Sequence, residues 1–306
     1  MEMPTDPPTG PVADYLSPTR LDEALTILAG GSARPLAGGV EWARRAGTGE
    51  ALGTLVDLGG IAELDRLFAH PKIGLSIGAS VRLRALGADI WVAKRWAALH
   101  EAVEQIVPPQ LHNMATVVGN LCAADPCYDL PVALATHRAW LRIEAARAAP
   151  REVAITDFYP SPGLSVLRPG ELVTAILAPR PSPDAGSAFR KIGAGSDKVC
   201  AAAYVALDTV NDRIVEVSLA VSGATGPIRL LAVEAAMPGL ADASGTYAEA
   251  AAHAMEALDG AGAAPADTVR RRWLQVLMRD ALEQAASRAR SRHDPFDDHA
   301  SLMEER

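Results

Sequence analysis

The chain has 306 residues, of which 49% are apolar, enough for one large domain or two smaller ones. Its formal net charge of −8 argues against a nucleic-acid partner, because phosphate binding needs a basic surface. No run of about 18 apolar residues exists, so no membrane span is expected, and the Pro-rich residues 1–12 do not resemble a signal peptide. Three cysteines cannot alone supply four thiolates to an iron–sulfur cluster, and this small odd number is typical of a reducing, cytoplasmic compartment.

Hydrophobic periodicity predicts a mixture of helices and strands before residue 180. Strands are predicted at 34–37, 52–58, 73–77, 139–143, 153–156 and 171–177, and helices at 18–28, 83–107 and 130–136. Thr19 is the candidate N-cap of the first helix. Pro108-Pro109 ends the second helix, and a loop is predicted over 113–120.

The segment 179–183 has three prolines in five residues, which indicates a boundary between two domains. Beyond it, strands are predicted at 199–208 and 214–221 with a hairpin turn at Asn211-Asp212, followed by helices at 230–236, 247–258 and 266–290. The predicted class is α+β. The chain is divided into a loose tail at 1–12, domains at 13–180 and 184–290, and a charged tail at 291–306.

The first loop of chemical interest is Leu36-Ala37-Gly38-Gly39-Val40-Glu41-Trp42. Glycine has no Cβ and tolerates positive φ, so Gly38 and Gly39 allow bare backbone to approach a ligand, with successive N–H groups forming an anion-binding nest. The alternative is an ordinary tight turn between a strand and a helix. The Gly-x-Gly-x-x-Gly pattern of a Rossmann dinucleotide site is missing here.

The second loop runs from Thr116 to Pro131. Thr116 and Asn120 offer side-chain hydrogen bonds, and Gly119 allows close approach of the backbone. Asp129 directly precedes a predicted helix. It could cap that helix, or it could accept hydrogen bonds from a ribose or adenine, and its position alone leaves both roles open.

Together the two loops resemble the paired motifs of the FAD-binding domain in the medium subunit of carbon monoxide dehydrogenase, in xanthine dehydrogenase and in bacterial nicotine and caffeine dehydrogenases. The family motifs are Ala-Gly-Gly-Thr-Asp-Leu and Thr-x-Gly-Gly-Asn, the latter followed by Pro-x-x-Asp, with which Pro126 and Asp129 are in register. The similarity continues at Asp157-Phe158-Tyr159, at 167–172 and at 189–193, and its layout spans about Tyr15 to Arg290. It implies a PCMH-type, vanillyl-alcohol-oxidase-like FAD-binding domain, followed by a smaller sheet-plus-helices domain of the CO dehydrogenase flavoprotein type.

The resemblance also implies roles for individual residues. Residues 35–42 would wrap the FAD pyrophosphate and ribityl chain, 116–120 would form the facing wall, and Asp129 would hold the adenosine or ribityl end. Leu167 and Lys191 would approach the isoalloxazine ring; the alternatives for Lys191 are a solvated strand-end lysine or replacement by Arg190. The implied cofactor-binding residues are Pro35, Leu36, Ala37, Gly38, Gly39, Val40, Glu41, Trp42, Thr116, Val117, Val118, Gly119, Asn120, Asp129, Leu167 and Lys191.

The sequence departs from the family pattern at a few positions. Val40 replaces a polar residue of the first motif, and Val118 replaces the first glycine of the second motif. Ala194 and Lys198 stand where the family usually has Arg and Asp. These changes put one phosphate hydrogen bond and the contacts of the 194–198 loop in question.

The implied function is electron transfer by a subunit of a heteromeric molybdenum hydroxylase. Electrons would pass from [2Fe–2S] clusters in a small partner subunit to FAD in this chain and then to NAD⁺, O₂, a quinone or a carrier protein. The molybdopterin cofactor and the substrate would lie on a large partner subunit, in a dimer of heterotrimers. No catalytic residue and no metal ligand is assigned to this chain.

Two alternatives remain open from the sequence. One is a degenerate scaffold subunit without flavin, which Val40 and Val118 favour. The other is a self-contained FAD oxidase, against which the lack of a cap domain and of an evident base argues. Cys122 and Cys127 lie close together but are interpreted as incidental or buried thiols, not as a metal site.

Overall fold

The computed structural model describes residues 12–70 and 74–291. A parallel three-stranded sheet opens the fold, with the strand order β1-β3-β2. Its elements are β1 Val12–Leu16, α1 Leu21–Leu28, β2 Ala33–Leu36, α2 Val40–Gly47 and β3 Gly53–Asp57. Each helix carries the chain back so that the next strand can pair in parallel. The expected Thr19 cap is wrong, because Arg20 occupies the N-cap position and makes no side-chain cap bond.

An antiparallel five-stranded sheet follows, with the order β4-β5-β8-β6-β7. Its strands are β4 Leu67–His70, β5 Gly74–Gly78, β6 Trp140–Ala145, β7 Arg151–Ala154 and β8 Glu171–Ala178. The helices between β5 and β6 are α3 Leu83–Ala88, α4 Ile90–Arg95, α5 Ala97–Glu104, α6 Gln110–Met114, α7 Val117–Cys122 and α8 Leu130–Thr136. These helices cover the sheet and supply much of the N-terminal core.

The continuous helix predicted over 83–107 is wrong, because three helices occupy this segment. Asp89 causes the first break: its carboxylate accepts hydrogen bonds from the N–H groups of Trp91 at 2.8 Å and Val92 at 2.9 Å and caps α4. The loop predicted over 113–120 is also wrong except at 115–116, because α6 extends to Met114 and α7 begins at Val117. Thr116 caps a new helix there by accepting a hydrogen bond from Gly119 N–H at 3.0 Å.

The proline-rich segment 179–183 leads from β8 into a second antiparallel sheet with the order β12-β11-β10-β9. Its strands are β9 Ala185–Ile192, β10 Val199–Asp208, β11 Arg213–Ser222 and β12 Pro227–Arg229. The helices α9 Leu231–Ala236, α10 Ser244–Gly260 and α11 Thr268–Arg290 follow. The hairpin turn expected at Asn211-Asp212 is present, with Asp212 at a left-handed φ of 51°. No helix among the described residues combines the length and hydropathy that a membrane span requires.

Both faces of β10 are buried, and they belong to different cores. Ala201, Ala203 and Val205 pack into the core under α10 and α11. Cys200 and Ala202 pack into the N-terminal core, and Ala202 also accepts a 2.7 Å hydrogen bond from the hydroxyl of Thr136 in α8. Successive side chains of a strand point to opposite faces, so one strand joins the two parts of the chain.

Glu101 of α5 adds a polar connection at the same junction. Its carboxylate accepts hydrogen bonds from the Phe189 N–H of β9 at 2.8 Å, from Arg190 at 3.3 Å and from Arg288 of α11. One carboxylate therefore holds a helix of the N-terminal part, a strand and the last helix together. The glycine at 186 lets α11 lie against β9, because an added Cβ would lie 2.2 Å from the Ala285 carbonyl oxygen.

We expect Glu101→Ala to lower the free energy of unfolding by about 1–3 kcal/mol, because it removes the acceptor of the Phe189 N–H and the carboxylate partner of two guanidinium groups. Chemical denaturation measures this change. Glu104→Ala is the matched control, since Glu104 is exposed on the same helix and its loss should cost less than about 0.5 kcal/mol. Equal effects of the two substitutions would contradict the role given to Glu101.

Candidate functional site

A pocket of about 540 Å³ lies where the two glycine-bearing segments meet the end of β9. This volume is typical of small-molecule and cofactor sites. Thirteen of the residues implied from the sequence line it: Pro35, Ala37, Gly38, Gly39, Val40, Glu41, Trp42, Thr116, Val118, Gly119, Asn120, Asp129 and Lys191. Three others do not: Val117 is fully buried in the N-terminal core, Leu167 packs against that core, and Leu36 lies beside Gly39.

The first segment turns from β2 into α2 through Gly38 and Gly39. Gly39 is the N-cap residue of α2 and has a left-handed φ of 72°, which glycine adopts without strain. The N–H groups of the first turn of a helix have no intrahelical partners, so those of α2 are available to a ligand. Val40 contributes such an N–H whatever its side chain is. The segment is thus both a tight turn and a lining of the pocket.

Gly38 brings the two segments into direct contact. A Cβ at this position would lie 2.5 Å from the carbonyl oxygen of Met114 and 2.9 Å from the amide nitrogen of Thr116. Real Cβ atoms do not come so close to main-chain atoms, so every residue other than glycine would force the two segments apart. The absence of a side chain is therefore a requirement of the pocket itself.

The second segment is helical, and it presents a polar atom to the pocket. The Oδ1 atom of Asn120 is buried and has no hydrogen-bond partner, although Asn120 lines the pocket. A buried acceptor without a donor is unfavourable, and a ligand hydroxyl or N–H group would satisfy it. Val118 is 4% exposed and packs in the N-terminal core, so its bulk lies mainly within the wall.

Asp129 joins this wall to the C-terminal sheet through two ion pairs. Its Oδ2 lies 2.7 Å from Lys191 Nζ, and its Oδ1 lies 2.7 Å from Lys198 Nζ. The capping role considered from the sequence is wrong, because the carboxylate makes no cap bond to α8. Lys191 also donates to the Gln105 carbonyl at 3.0 Å, and Lys198 donates to the carbonyl of Cys127. Lys191 is thus an ion-paired residue of the pocket, not a solvated strand-end lysine.

The neighbouring charges on α2 are paired with one another. Burial tends to raise the pKa of Glu41, but hydrogen bonds from Arg44 and Arg45 outweigh it and lower the pKa. The Arg45 guanidinium lies 5.3 Å from the ring centre of Trp42, whose indole N–H donates to the Pro35 carbonyl at 2.8 Å. Arg45 lines the pocket and carries a positive charge there.

The cysteines have the chemistry of buried thiols. Burial raises the pKa of Cys122 to about 12 and that of Cys200 to about 11, and it also raises the pKa of Cys127. A thiol must lose its proton to bind a metal or attack a substrate, so these shifts disfavour both reactions. Within residues 12–70 and 74–291, no group of three His, Cys, Asp or Glu side chains has the arrangement of a metal site.

Several lining residues were missed in the sequence. They are Arg45, Gln105, Ile106, Val107, Leu111, Cys122, Tyr128, Gly193, Gly195 and Lys198, with smaller apolar neighbours. Cys122 and Tyr128 lie within the second loop and Arg45 lies in the helix that follows the first loop, whereas the others come from 105–111 and 193–198, and no local pattern marks them as lining residues. Lys198 did carry a signal, because it was recognised as a departure from the family pattern.

This chain is similar in sequence and in structure to known proteins. The profile of the family described as "FAD binding domain in molybdopterin dehydrogenase" matches residues 10–181. The chain is 30% identical to the carbon monoxide dehydrogenase medium chain of Afipia carboxidovorans, over 91% of this chain and 98% of that protein. A crystal structure of Cu,Mo-CO dehydrogenase matches with a TM-score of 0.79 and 27% identity, over 90% of this chain and 98% of that one. Quinoline 2-oxidoreductase from Pseudomonas putida 86 matches with a TM-score of 0.79 and 25% identity, over 90% of this chain and 98% of that one.

The chain belongs to the family of FAD-binding domains in molybdopterin dehydrogenases. Within that family it is an FAD-binding medium subunit of the molybdenum hydroxylase type, and hence part of an oxidoreductase. The α+β class, the PCMH-type fold and FAD as the cofactor of this chain are thereby confirmed.

The residues of the pocket fit FAD. Bare backbone at Gly38 and the N–H groups at the start of α2 suit a pyrophosphate, and the unpartnered Oδ1 of Asn120 suits a hydroxyl or amide donor. The two lysines around Asp129 leave one positive charge in excess, which suits an electron-rich ring edge. The mostly apolar remainder of the lining suits a flat aromatic ring system.

We expect Gly38→Ala to lower both the flavin content and the stability of the chain, the latter by about 1–3 kcal/mol, because the added methyl group overlaps main-chain atoms. Absorbance at the flavin bands and thermal unfolding measure these effects. Gly47→Ala is the matched control at the other end of α2, where an added Cβ meets nothing within 4 Å. Normal flavin content in Gly38→Ala would contradict the close contact of the two segments.

Proposed function

We propose that this chain relays electrons within a molybdenum hydroxylase complex, from the [2Fe–2S] clusters of a partner subunit to an external acceptor. The observation that carries the proposal is the composition of the pocket: glycine backbone and an excess of positive charge, without an activated nucleophile. Bound there, FAD supplies the chemistry that links one-electron donors to a two-electron acceptor. The protein residues position and stabilise the cofactor, and none is assigned a proton-transfer step.

The proposal gives each wall of the pocket a separate task. The backbone from Pro35 to Trp42 would hold the pyrophosphate and ribityl region, with the first N–H groups of α2 as donors. Residues 116–120 would form the facing wall, with Asn120 Oδ1 as an acceptor for the ligand. Lys191, held by Asp129, would lie at the ring. The side chains of Leu36 and Val117 do not line the pocket. These two residues would therefore act through their main chain only.

Substrate oxidation would take place on a partner. The carbon monoxide dehydrogenase relative is named a medium chain. The names of CO dehydrogenase and quinoline 2-oxidoreductase state the substrates of those enzymes. By analogy, we assign the molybdopterin cofactor to a large subunit and the iron–sulfur clusters to a small one, in a cytoplasmic dimer of heterotrimers. The acceptor would be NAD⁺, O₂, a quinone or a carrier protein.

We expect the purified chain to bind FAD and to acquire the absorbance and quenched fluorescence of a protein-bound flavin. FMN should bind at least about tenfold more weakly, because it lacks the pyrophosphate and adenosine that the first segment is proposed to hold.

Asn120→Ala should weaken FAD binding about tenfold through the loss of one buried hydrogen bond. Asn113→Ala, at an exposed asparagine, should leave it unchanged. A chain that takes up no FAD would contradict the flavin site and favour a scaffold role.

We expect the chain isolated from its native host under mild conditions to bring two further subunits with it, together with molybdenum and iron. Metal analysis and native mass spectrometry measure this composition. The FAD-loaded chain, once reduced by dithionite, should be reoxidised by added acceptors, but it should not oxidise organic substrates by itself. Turnover of an organic substrate by the chain alone, without metals, would overturn the relay function in favour of a self-contained oxidase.

A further inference from the structure

Lysine is rare in this chain. Only Lys72, Lys94, Lys191 and Lys198 are lysines among its 29 basic residues, the others being arginines. Two of the four contact the same carboxylate, that of Asp129, at the wall of the flavin pocket. A compact ammonium group at both positions is therefore a distinctive feature of this site.

The two lysines differ in depth. The side chain of Lys198 is 3% exposed and that of Lys191 is 17% exposed, while that of Asp129, between them, is 7% exposed. Lys198 thus lies behind the carboxylate and Lys191 lies in front of it, toward the open pocket. Both are held rigidly by the β9–β10 hairpin: Lys191 pairs with Cys200 in the ladder, and Lys198 directly precedes β10.

The charges of this cluster do not cancel. One carboxylate oxygen accepts from Lys191, and the other accepts from Lys198, which leaves a net charge of one positive unit. Without Lys198, Lys191 alone would neutralise Asp129, and the cluster would present no net charge to the ligand. Electrostatic effects are strong at buried sites, where water does not screen them.

We propose that Lys198 is a positioning residue of the flavin site, which neutralises and orients Asp129 so that the charge of Lys191 remains available to an anionic ring edge of the cofactor. This inference rests on the proposed flavin function and adds a residue to it. Lysine suits the position because its compact ammonium has three donors, and here it reaches both Asp129 and the carbonyl of Cys127. An arginine fork is larger and planar, and would displace the carboxylate.

The charge count can be tested with three variants. Lys198→Met lowers the net charge of the cluster of Asp129, Lys191 and Lys198 to zero. Asp129→Asn raises this net charge to two positive units, and the double variant restores one positive unit. In a potentiometric titration, two electrons from dithionite and one proton from water convert bound FAD to its anionic reduced form, so the ligand gains one negative charge. The midpoint potential therefore measures the net charge of the cluster. Lys94→Met, an exposed lysine outside the pocket, is the control.

We expect Lys198→Met to weaken the binding of reduced relative to oxidised FAD about tenfold, a negative shift of about 30 mV for a two-electron couple. Asp129→Asn should shift the potential in the positive direction, and the double variant should return close to wild type. A purely structural role for Lys198 predicts no such rescue. Potentials that do not follow the charge order would overturn the inference, whereas failure of the wild-type chain to bind FAD would instead overturn the proposed function.

A second measurement needs no variant. Reductive methylation followed by peptide mass spectrometry reports the accessibility of each lysine in the wild-type chain. Without FAD, Lys94 should react fastest and Lys198 slowest of the three lysines that the structure describes. Addition of FAD should protect Lys191 and leave the slow rate of Lys198 unchanged, since Lys198 stands behind the carboxylate. Protection of Lys198 with continued reaction of Lys191 would reverse their order in the pocket and overturn the inference.

Discussion

The burial of both faces of β10 is the constraint on which the rest of the structure depends. One face completes the core under α10 and α11, and the other packs on α8 and the N-terminal core. Because β10 cannot shift without disturbing two cores, the neighbouring end of β9 is held in a fixed position. Lys191 lies at that end, so its distance to Asp129 is set by hydrophobic packing on both sides.

The pocket lies between segments that are far apart in sequence, and its shape depends on small residues as much as on polar ones. Gly38 allows the turn after β2 to contact the main chain at Met114 and Thr116, and the two segments meet there. On the opposite side of the pocket, Asp129 at the start of α8 forms ion pairs with Lys191 and Lys198 of the C-terminal part. A flat ligand between these walls meets backbone on one side and an ionic cluster on the other.

Much of this arrangement follows from local sequence. Local pattern predicted most strands, helix α11 and the hairpin turn at Asp212, and motif register predicted thirteen lining residues. The misses have local as well as tertiary causes. Asp89 interrupts a pattern that remains helical in hydrophobicity, and β9, whose residues contact Glu101 and α11, has little alternation of its own. The role of Lys198 depends on a partner 69 positions away, which no local pattern reveals.

The unpartnered oxygen of Asn120 has a consequence for the life of the subunit. A chain that has folded before it meets its cofactor carries a desolvated acceptor in the wall of the flavin pocket. Ligands that bind only the native state raise its stability as their concentration rises, and unfolded chains are what cellular proteases remove. The same asparagine would therefore link the stability of the folded chain to the supply of flavin, since bound FAD would give its buried oxygen a hydrogen-bond donor.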